Sequence, residues 1–159
     1  SVTIALVLVL LYMIAIYGKL GLIANTVLII NFLFIISWLV VFQATLTLPG
    51  IAGIALTVGM AVDANVLVFE RIREEKLLGR TKHSAINTGF NEALRAILDA
   101  NITTLIAALI LFFLGSGPIR GFSITLGLGV VSTILCTMII SRLLINYLYI
   151  QNNKRELEF

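Results

Sequence analysis

Asp63 is the residue of this sequence whose chemistry most needs explaining, because it is an acid inside an apolar run. Met60, Ala61 and Val62 precede it, and mainly apolar residues continue to Phe69. An acidic side chain near the centre of a membrane costs about 2.5–3.5 kcal/mol on insertion scales, and such residues usually face a bundle interior or water and mark ion or proton pathways. An apolar surrounding also favours the neutral acid. Asp63 could therefore carry a proton, or it could act as a protonated acid that hydrogen-bonds between helices.

The triplet Asp-Ala-Asn occurs twice, at 63–65 and at 99–101. Both copies lie near the same end of two antiparallel apolar runs, so Asp63 and Asp99 could lie at similar depth. A solvated or helix-capping role for Asp99 stays as open as a functional one. The residues that could extend a proton path from Asp63 are polar and lie on three of the runs: Asp99, Asn65, Thr125 and Thr133.

Two membrane carboxyls also raise the alternative of an intramembrane aspartic protease, in which two close carboxyls share a proton. The Gly-x-Gly-Asp sequence of such proteases is absent, since Gly-Met-Ala-Val precedes Asp63. No serine–histidine arrangement, phosphate-binding loop or metal cluster is evident, and His83 is the one histidine. We therefore expect no catalytic residue, no cofactor and no metal ion.

The composition indicates that membrane helices position these residues. Of 159 residues, 60% are hydrophobic and 12% are charged, and the mean hydropathy is +1.09. In soluble domains about 45–50% of residues are apolar and about 25% are charged. A helix of about 20 residues spans the hydrocarbon core, and five apolar runs approach or reach that length, at 2–17, 20–42, 49–69, 93–114 and 119–140. Their continuous apolar character argues against a barrel. We predict an all-α membrane protein whose transmembrane domain, 1–150, is a bundle of five transmembrane helices.

The basic residues between the runs predict the orientation of the bundle. Six Lys or Arg residues lie within 71–95, whereas 43–48 has none and 115–121 has only Arg120. Because cytoplasmic loops carry an excess of Lys and Arg, we expect the N-terminus outside and the C-terminus in the cytoplasm. The net charge of +3 then reflects topology, and we expect no binding of nucleic acid. The segment 151–159 is expected to be a cytoplasmic tail without function, and its last residues are compatible with a cloning origin.

The basic connection, about 71–92, is expected to be an ordered, amphipathic cytoplasmic helix. Arg71 and Glu75 are spaced i, i+4 and would continue the third helix into water. Gly79 is suited to end that helix, and Thr81 or Ser84 is suited to begin the next. An apolar stripe then recurs at 3- and 4-residue steps and suits a membrane surface or another helix.

Small residues predict close helix packing around Asp63. Ala52 and Gly59 share its helix face and would let another helix approach. The fifth run offers a matching small, polar face, with hydroxyls at Thr125 and Thr133. Two glycines of that run complete the predicted packing positions: Gly127 and Gly129.

Hydroxyls can satisfy a protonated acid, but they cannot neutralise a carboxylate. The basic residues lie between the runs or near their ends, so a charge partner for Asp63 should come from another chain. Asn25 and Asn31 in the second run are expected to form hydrogen bonds between helices.

Three long segments resemble the SecD family of bacterial protein-export subunits. "LPGIAGIALTVGMAVDANVLVFERIREE" (48–75) closely resembles the fourth transmembrane segment of that family. "GFNEALRAILDANITTLIAALILFFLGSGPIRGFSITLGLGV" (89–130) resembles the family's sequence after that segment, and "YGKLGLIANTVLIINFLF" (17–34) fits the preceding helices. The related SecF family usually differs from Asp-Ala-Asn-Val at the segment around Asp63, so the resemblance favours SecD.

The resemblance implies a six-helix bundle of the RND superfamily in the bacterial cytoplasmic (inner) membrane. It implies pairing with SecF, association with the SecYEG channel, and use of the proton-motive force to draw exported unfolded polypeptides across the lipid bilayer. It places Asp63 on the proton path. The sequence begins without Met and without a signal peptide, and we expect a fragment that starts at a transmembrane helix. The family's first helix and its large periplasmic domain would be missing, and the five runs would be helices two to six.

Two other functions stay open from the sequence. One is a structural bundle that docks SecF and the channel without proton flux, which an Asp63 sealed by hydroxyls of its own chain would favour. The other is an RND-like exporter of small molecules or lipids, which a wide cavity open to lipid would favour. A solvated Asp63 between subunits would favour the motor.

Overall fold

Helices make up the protein, as the sequence predicts. The computed structural model describes residues 2–44, 46–145 and 147. In this part the elements are α1 (Val2–Tyr17), α2 (Lys19–Val41), α3 (Leu48–Leu77), α4 (Lys82–Leu114), α5 (Pro118–Leu135), a π-helical stretch (Cys136–Ser141) and α6 (Arg142–Ile145). The all-α membrane fold is confirmed. The tail predicted at 151–159 lies outside the described residues.

Within the described residues, four helices are long and apolar enough to cross a membrane: Lys19–Val41, Leu48–Leu77, Lys82–Leu114 and Pro118–Ile140. The first apolar helix, Thr3–Tyr17, is shorter, as its run in the sequence predicts. The chain is therefore a multi-pass membrane protein whose spanning helices coincide with the predicted runs.

The helices α3 and α4 are longer than a membrane requires. They have 30 and 33 residues, or roughly 45 and 50 Å at 1.5 Å per residue, against a hydrocarbon core of about 30 Å. Thr47 caps the start of α3 by accepting a hydrogen bond from the Gly50 amide at 3.2 Å. The surplus length extends the two helices beyond the membrane at the end where they connect.

The connection between α3 and α4 is short, and its amphipathic residues belong to the two helices. Gly79 has φ +86, a left-handed conformation that ends α3. Thr81 caps α4 by accepting from the Ser84 amide at 3.3 Å. The predicted stop and start are thus confirmed, but no separate amphipathic helix exists, because α4 continues without a break to Leu114.

The ion pairs of this connection differ from the sequence prediction. Arg71 pairs with Glu74 at 3.3 Å, and Glu75 pairs with Arg80; the expected pair of Arg71 with Glu75 is wrong. Glu75 is buried and faces the turn, so Arg80, which follows Gly79, lies closer to it than Arg71 does.

The core has two parts, one toward each end of the bundle. The larger part joins all the spanning helices at the end where α3 meets α4, and its members include Tyr17, Leu20, Phe69, Ile72 and Phe90. The smaller part consists of Ala108, Leu126 and Val130 with partly buried neighbours. The helices α3, α4 and α5 pack against one another, and α1 packs on α2.

Candidate functional site

Asp63 lies in the membrane-spanning part of α3 with its side chain exposed. It makes no hydrogen bond and no ion pair with the part of the chain that the structure describes. The buried face of α3 runs through Gly53, Thr57, Ala61 and Ala64. At about 100° per residue, Asp63 points away from that face. The carboxyl therefore faces outward from this bundle.

The predicted packing residues beside Asp63 form an exposed strip on α3. We call Ala52, Leu56, Gly59 and Asp63 the open face of α3; all four are exposed. A Cβ added at Gly59 would meet nothing within 4 Å. Ala52 and Gly59 therefore do not serve a helix contact within the described chain, and the strip is free to meet another one.

The small, polar face of α5 packs against the opposite side of α3. Gly53 lies so close to Thr125 that a Cβ on Gly53 would overlap the Thr125 hydroxyl, and a Cβ on Gly129 would come within 2.6 Å of Thr57 Cβ. The Thr125 hydroxyl donates to the Phe122 carbonyl at 3.0 Å. The Thr125 hydroxyl, which the sequence offered to Asp63, thus meets another face of α3.

Gly127 has a looser environment than Gly129. A Cβ on Gly127 would lie 3.8 Å from Ala108 Cβ and 4.0 Å from Leu105 Cδ1, which is ordinary van der Waals contact. A side chain could therefore be accommodated at this position, whereas none fits at Gly129.

Thr133 belongs to a buried polar cluster between α2 and α5. Asn31 Nδ2 donates to Thr133 Oγ1 at 3.1 Å, and Ser132 Oγ donates to Asn31 Oδ1 at 2.6 Å. Thr133 in turn donates to the Gly129 carbonyl at 2.8 Å. All three side chains are buried. The prediction that Asn31 bonds between helices is confirmed, and so is that for Asn25, which donates to the Leu10 carbonyl at 3.1 Å.

The two Asp-Ala-Asn triplets match in the exposure of their aspartates and in that of their asparagines. Asp63 and Asp99 are exposed, whereas Asn65 and Asn101 are buried. Asn101 Nδ2 donates to the carbonyl of Ile97 at 2.7 Å. In the described chain, the Oδ1 atoms of Asn65 and Asn101 are buried and accept no hydrogen bond. The Asp and Asn positions of the repeat therefore share an orientation, whereas Ala64 is buried and Ala100 is exposed.

The two aspartates lie at similar depth in the bundle. The helices α3 and α4 approach closely at Gly89, whose added Cβ would be 2.6 Å from the Ile72 amide nitrogen. Asp99 follows Gly89 by ten residues, and Val62 precedes Ile72 by ten. In antiparallel helices of equal rise, Asp99 is thus level with the neighbour of Asp63.

Tyr17 joins α1 to the end of the spanning part of α3, a contact that no pattern in the sequence predicts. Its hydroxyl donates to Glu70 Oε1 at 2.8 Å, and its ring centroid lies 5.4 Å from that of Phe69. Arg73 lies 4.0 Å from the same Glu70 oxygen. Two aromatic rings and one ion pair therefore fix the segment that lies two turns beyond Asp63.

An open, mostly apolar groove lies along α4 and α5 toward the end of the bundle away from the α3–α4 connection, and we call it the α4–α5 groove. Its volume is about 630 Å³. It is lined by Phe42, Gln43, Ala44, Leu105, Ala108, Leu109, Phe112, Ser123, Ile124, Gly127, Leu128 and Val131. Asp63 is not among the lining residues, so the groove and the open face of α3 are separate surfaces.

Metal-ligating residues do not gather anywhere in the described part of the chain. No group of three or more His, Cys, Asp or Glu residues that could hold a metal ion occurs there. Cys136, the only cysteine, is buried at the start of the π-helical stretch.

Residues 1–151 match the family described as protein export membrane protein SecD/SecF, C-terminal. The chain is 51% identical to the protein translocase subunit SecD of Rhodothermus marinus, over 95% of this chain and 24% of that protein. It is 54% identical to SecD of Desulfurispirillum indicum, over 92% of this chain and 29% of that protein. The chain thus spans about a quarter of the length of these relatives.

Solved structures share the fold. A crystal structure of SecDF from Thermus thermophilus, described as a translocon-associated membrane protein, superposes with a TM-score of 0.92 at 41% identity. It covers 100% of this chain, which matches 22% of that one. SecDF in a super-membrane-facing form gives a TM-score of 0.89 at 40% identity, over 96% of this chain and 21% of that one. The chain belongs to the SecD/SecF family of protein export membrane proteins, and it corresponds to the C-terminal membrane part of the SecD members.

Proposed function

We propose that this bundle is the proton-driven part of a SecD-type translocase subunit, which with SecF uses the proton-motive force to help export polypeptides through SecYEG. Asp63 takes up and releases the proton. The bundle lies in the bacterial cytoplasmic membrane with its C-terminus in the cytoplasm. The exported polypeptide is handled by the periplasmic domain of the complete subunit, which is separate from this bundle.

The exposure of Asp63 on the open face of α3 is the observation that carries this proposal. Within the described chain nothing neutralises or sequesters the carboxyl. A bare carboxylate toward lipid is costly, so its stable surroundings are water or a second membrane chain. Both would allow protons to reach it. SecF is the partner that fits, because it would cover the small residues Ala52 and Gly59 and supply the charged groups.

The energy available at such a site is sufficient to bias a bundle between two arrangements. One charge that moves through 100 mV gains about 2.3 kcal/mol, and a ligand or proton shifts an equilibrium only by its differential affinity for the two states. Protonation of Asp63 would change how the open face of α3 packs against SecF, and that change would reach the periplasmic part.

The support for further residues on the proton path from Asp63 differs from one residue to the next. Asp99 is exposed at similar depth on α4 and is the second carboxyl that could titrate. Asn65 is buried two residues from Asp63 and has an oxygen free to accept a bond. Thr125 packs against Gly53 of α3, and Thr133 accepts a hydrogen bond from Asn31 of α2, so both would contribute through packing instead.

The same geometry weighs against the two alternatives. A docking bundle without proton flux predicts an Asp63 sealed by hydroxyls of its own chain, whereas Asp63 is exposed. A wide cavity open to lipid would favour an exporter of small molecules or lipids, and proton-driven export would also need the titrating residue beside that cavity. The α4–α5 groove is open, but Asp63 is not part of it.

Proton-driven export into inverted membrane vesicles tests the proposal. The complete protein and its Asp63→Asn form are compared with a matched Glu74→Gln control, which makes the same acid-to-amide change on an exposed residue outside the spanning part of α3. Expression and SecF binding are matched. We expect Asp63→Asn to remove the part of export that depends on the proton-motive force, and Glu74→Gln to keep it.

The alternatives predict other outcomes of that assay. Export that continues at the original rate in Asp63→Asn would make Asp63 a packing residue and favour the docking bundle. An Asp99→Asn arm decides whether the second carboxyl titrates: loss of proton dependence in both variants would extend the path to α4.

A further inference from the structure

The α4–α5 groove has the position and chemistry of a site for an acyl chain. Its walls on α4 and α5 belong to helices long and apolar enough to span a membrane, and the groove is open at the surface of the described bundle. Apart from Gln43 and Ser123, every lining side chain is apolar or absent. Along α4 it extends from Leu105 to Phe112, and along α5 from Ser123 to Val131. These stretches correspond to roughly 10–12 Å of helix, a length suited to much of one acyl chain.

A guanidinium lies at the outer mouth of this groove. Arg120 is exposed, its Nε donates to the Phe112 carbonyl at 3.2 Å, and its Cζ lies 5.0 Å from the centre of the Phe112 ring. Ser123, which also lines the groove, donates to the Arg120 carbonyl at 2.6 Å. The hydrogen bond to the Phe112 carbonyl uses Nε of Arg120, and the ring contact uses one face of its guanidinium. The two terminal nitrogens of Arg120 therefore stay available.

The charge of Arg120 is not balanced by an acid on this side of the bundle. The sequence has no Asp or Glu before Asp63 and none between Asp99 and Glu156. The outer connections, 43–48 and 115–121, carry Arg120 as their one formal charge. No carboxylate of the described residues pairs with it. An anion that lies at the level of the headgroups would complement this guanidinium.

We propose that the α4–α5 groove binds a phospholipid of the outer leaflet, with one acyl chain along Leu105–Phe112 and the phosphate at Arg120. Arginine binds phosphate with two parallel N–H bonds, and basic positions between membrane helices bind lipid headgroups. Gln43 is exposed at the same mouth and can donate to the headgroup. This site is separate from Asp63 and stands whether or not Asp63 carries protons.

Lipid retention by the complete protein tests the site. Native mass spectrometry measures the affinity for added phosphatidylglycerol and for diacylglycerol with the same chains. Arg120→Ala removes the phosphate partner, and Gly127→Phe fills the groove. Because a charge-assisted hydrogen bond is involved, we expect Arg120→Ala to lower the affinity for phosphatidylglycerol by roughly tenfold and to leave that for diacylglycerol unchanged. Gly127→Phe should weaken the binding of both lipids.

Two matched controls are available within the chain. Arg142 lies over the ring of Phe90 at 5.6 Å, at the other end of the bundle, so Arg142→Ala removes an equivalent arginine and should not change retention. Gly127→Ala adds only a methyl group that the structure accommodates. Because Arg120 is exposed, its variant should fold even where Gly127→Phe does not.

Photolabelling locates the lipid. A phosphatidylglycerol with a diazirine in one acyl chain should label peptides within 105–112 or 123–131, and Arg120→Ala should reduce that labelling. Unchanged phosphatidylglycerol affinity in Arg120→Ala overturns the proposal, and so does labelling confined to other helices, such as the open face of α3.

Discussion

Asp63 and Asn65 illustrate how much the orientation of a single side chain decides. Because they are two positions apart on α3, their side chains point in directions about 200° apart around the helix. Asp63 is therefore exposed, whereas Asn65 is buried. The sequence identifies Asp63 as important because its cost in a membrane is intrinsic to the residue type. Its direction was not predictable, because small residues lie on both sides of α3: Ala52 and Gly59 on one, Gly50 and Gly53 on the other.

At the same scale, the cluster around Asn31 should contribute measurably to stability. Asn31→Ala removes the bonds to Ser132 and Thr133 and leaves two buried hydroxyls without those partners. Hydrogen bonds between membrane helices contribute about 0.6–1.7 kcal/mol each, so we expect a loss of roughly 1–3 kcal/mol. The free energy of unfolding in mixed micelles is the measurement.

Ser37→Ala provides the control for Asn31. Ser37 is exposed and donates within its own helix, to the Leu33 carbonyl at 2.7 Å. Its loss should change the free energy of unfolding by less than about 0.5 kcal/mol. An Asn31→Ala protein as stable as Ser37→Ala would show that the cluster does not hold α2 to α5.

Helix packing depends on a few glycines at which two backbones meet. The existence and order of the spanning helices, the caps and the turn at Gly79 were predictable, whereas the unbroken course of α4 from Lys82 to Leu114 was not. Which glycines lie at contacts was not, because that depends on helix rotation: Gly129 and Gly89 are at contacts, whereas Gly59 is open. The π-helical stretch, Cys136–Ser141, likewise has no distinctive sequence pattern.

A pair of alanine substitutions tests this packing. Gly129→Ala would press a methyl group against Thr57, and overpacking typically costs about 1–3 kcal/mol. Gly59→Ala meets nothing and should gain up to about 1 kcal/mol from helix propensity. Thermal unfolding of the two variants should therefore move in opposite directions. Equal shifts would mean that α3 and α5 do not pack as described.

The contact at Gly89 should control the ends of α3 and α4 beyond the membrane. A Cβ at Gly89 would lie 2.6–2.9 Å from backbone atoms of Arg71 and Ile72, and backbone cannot move aside as a side chain can. We expect Gly89→Ala to increase amide hydrogen exchange in 69–93 while exchange in 123–135 stays unchanged. Thr88→Ala, a partly buried neighbour, is the control and should leave both segments protected.

On the scale of the whole molecule, the open face of α3 places the acid Asp63 on the outer surface of the bundle, and Asp99 is exposed at similar depth on α4. Large apolar side chains are exposed along α1, α2 and α4, as lipid contact allows, whereas the open face of α3 carries Asp63 between small residues. Because the basic residues lie between the runs or near their ends, the sequence predicts that a charge partner comes from another chain. The surface that such a chain would cover was not predictable, since it depends on the packing of all the helices.

The proposed covering of the open face by SecF would make Gly59 a sensitive position for assembly. Gly59→Trp should reduce the SecF that co-purifies with the complete protein by severalfold, because the bulky ring would hold the two chains apart. Gly59→Ala should retain SecF. Normal co-purification in Gly59→Trp would place SecF on another surface, and the proposal for Asp63 would then lack its partner.

Proton entry through Asp63 is most directly measured in liposomes that contain the complete protein with SecF and a trapped pH-sensitive dye. An imposed membrane potential drives protons inward, and the rate of acidification is recorded for the unaltered protein, Asp63→Asn and the Glu74→Gln control. We predict that Asp63→Asn acidifies no faster than empty liposomes, while Glu74→Gln matches the unaltered protein. Acidification at the unaltered rate in Asp63→Asn would contradict the assignment of Asp63 as the proton carrier.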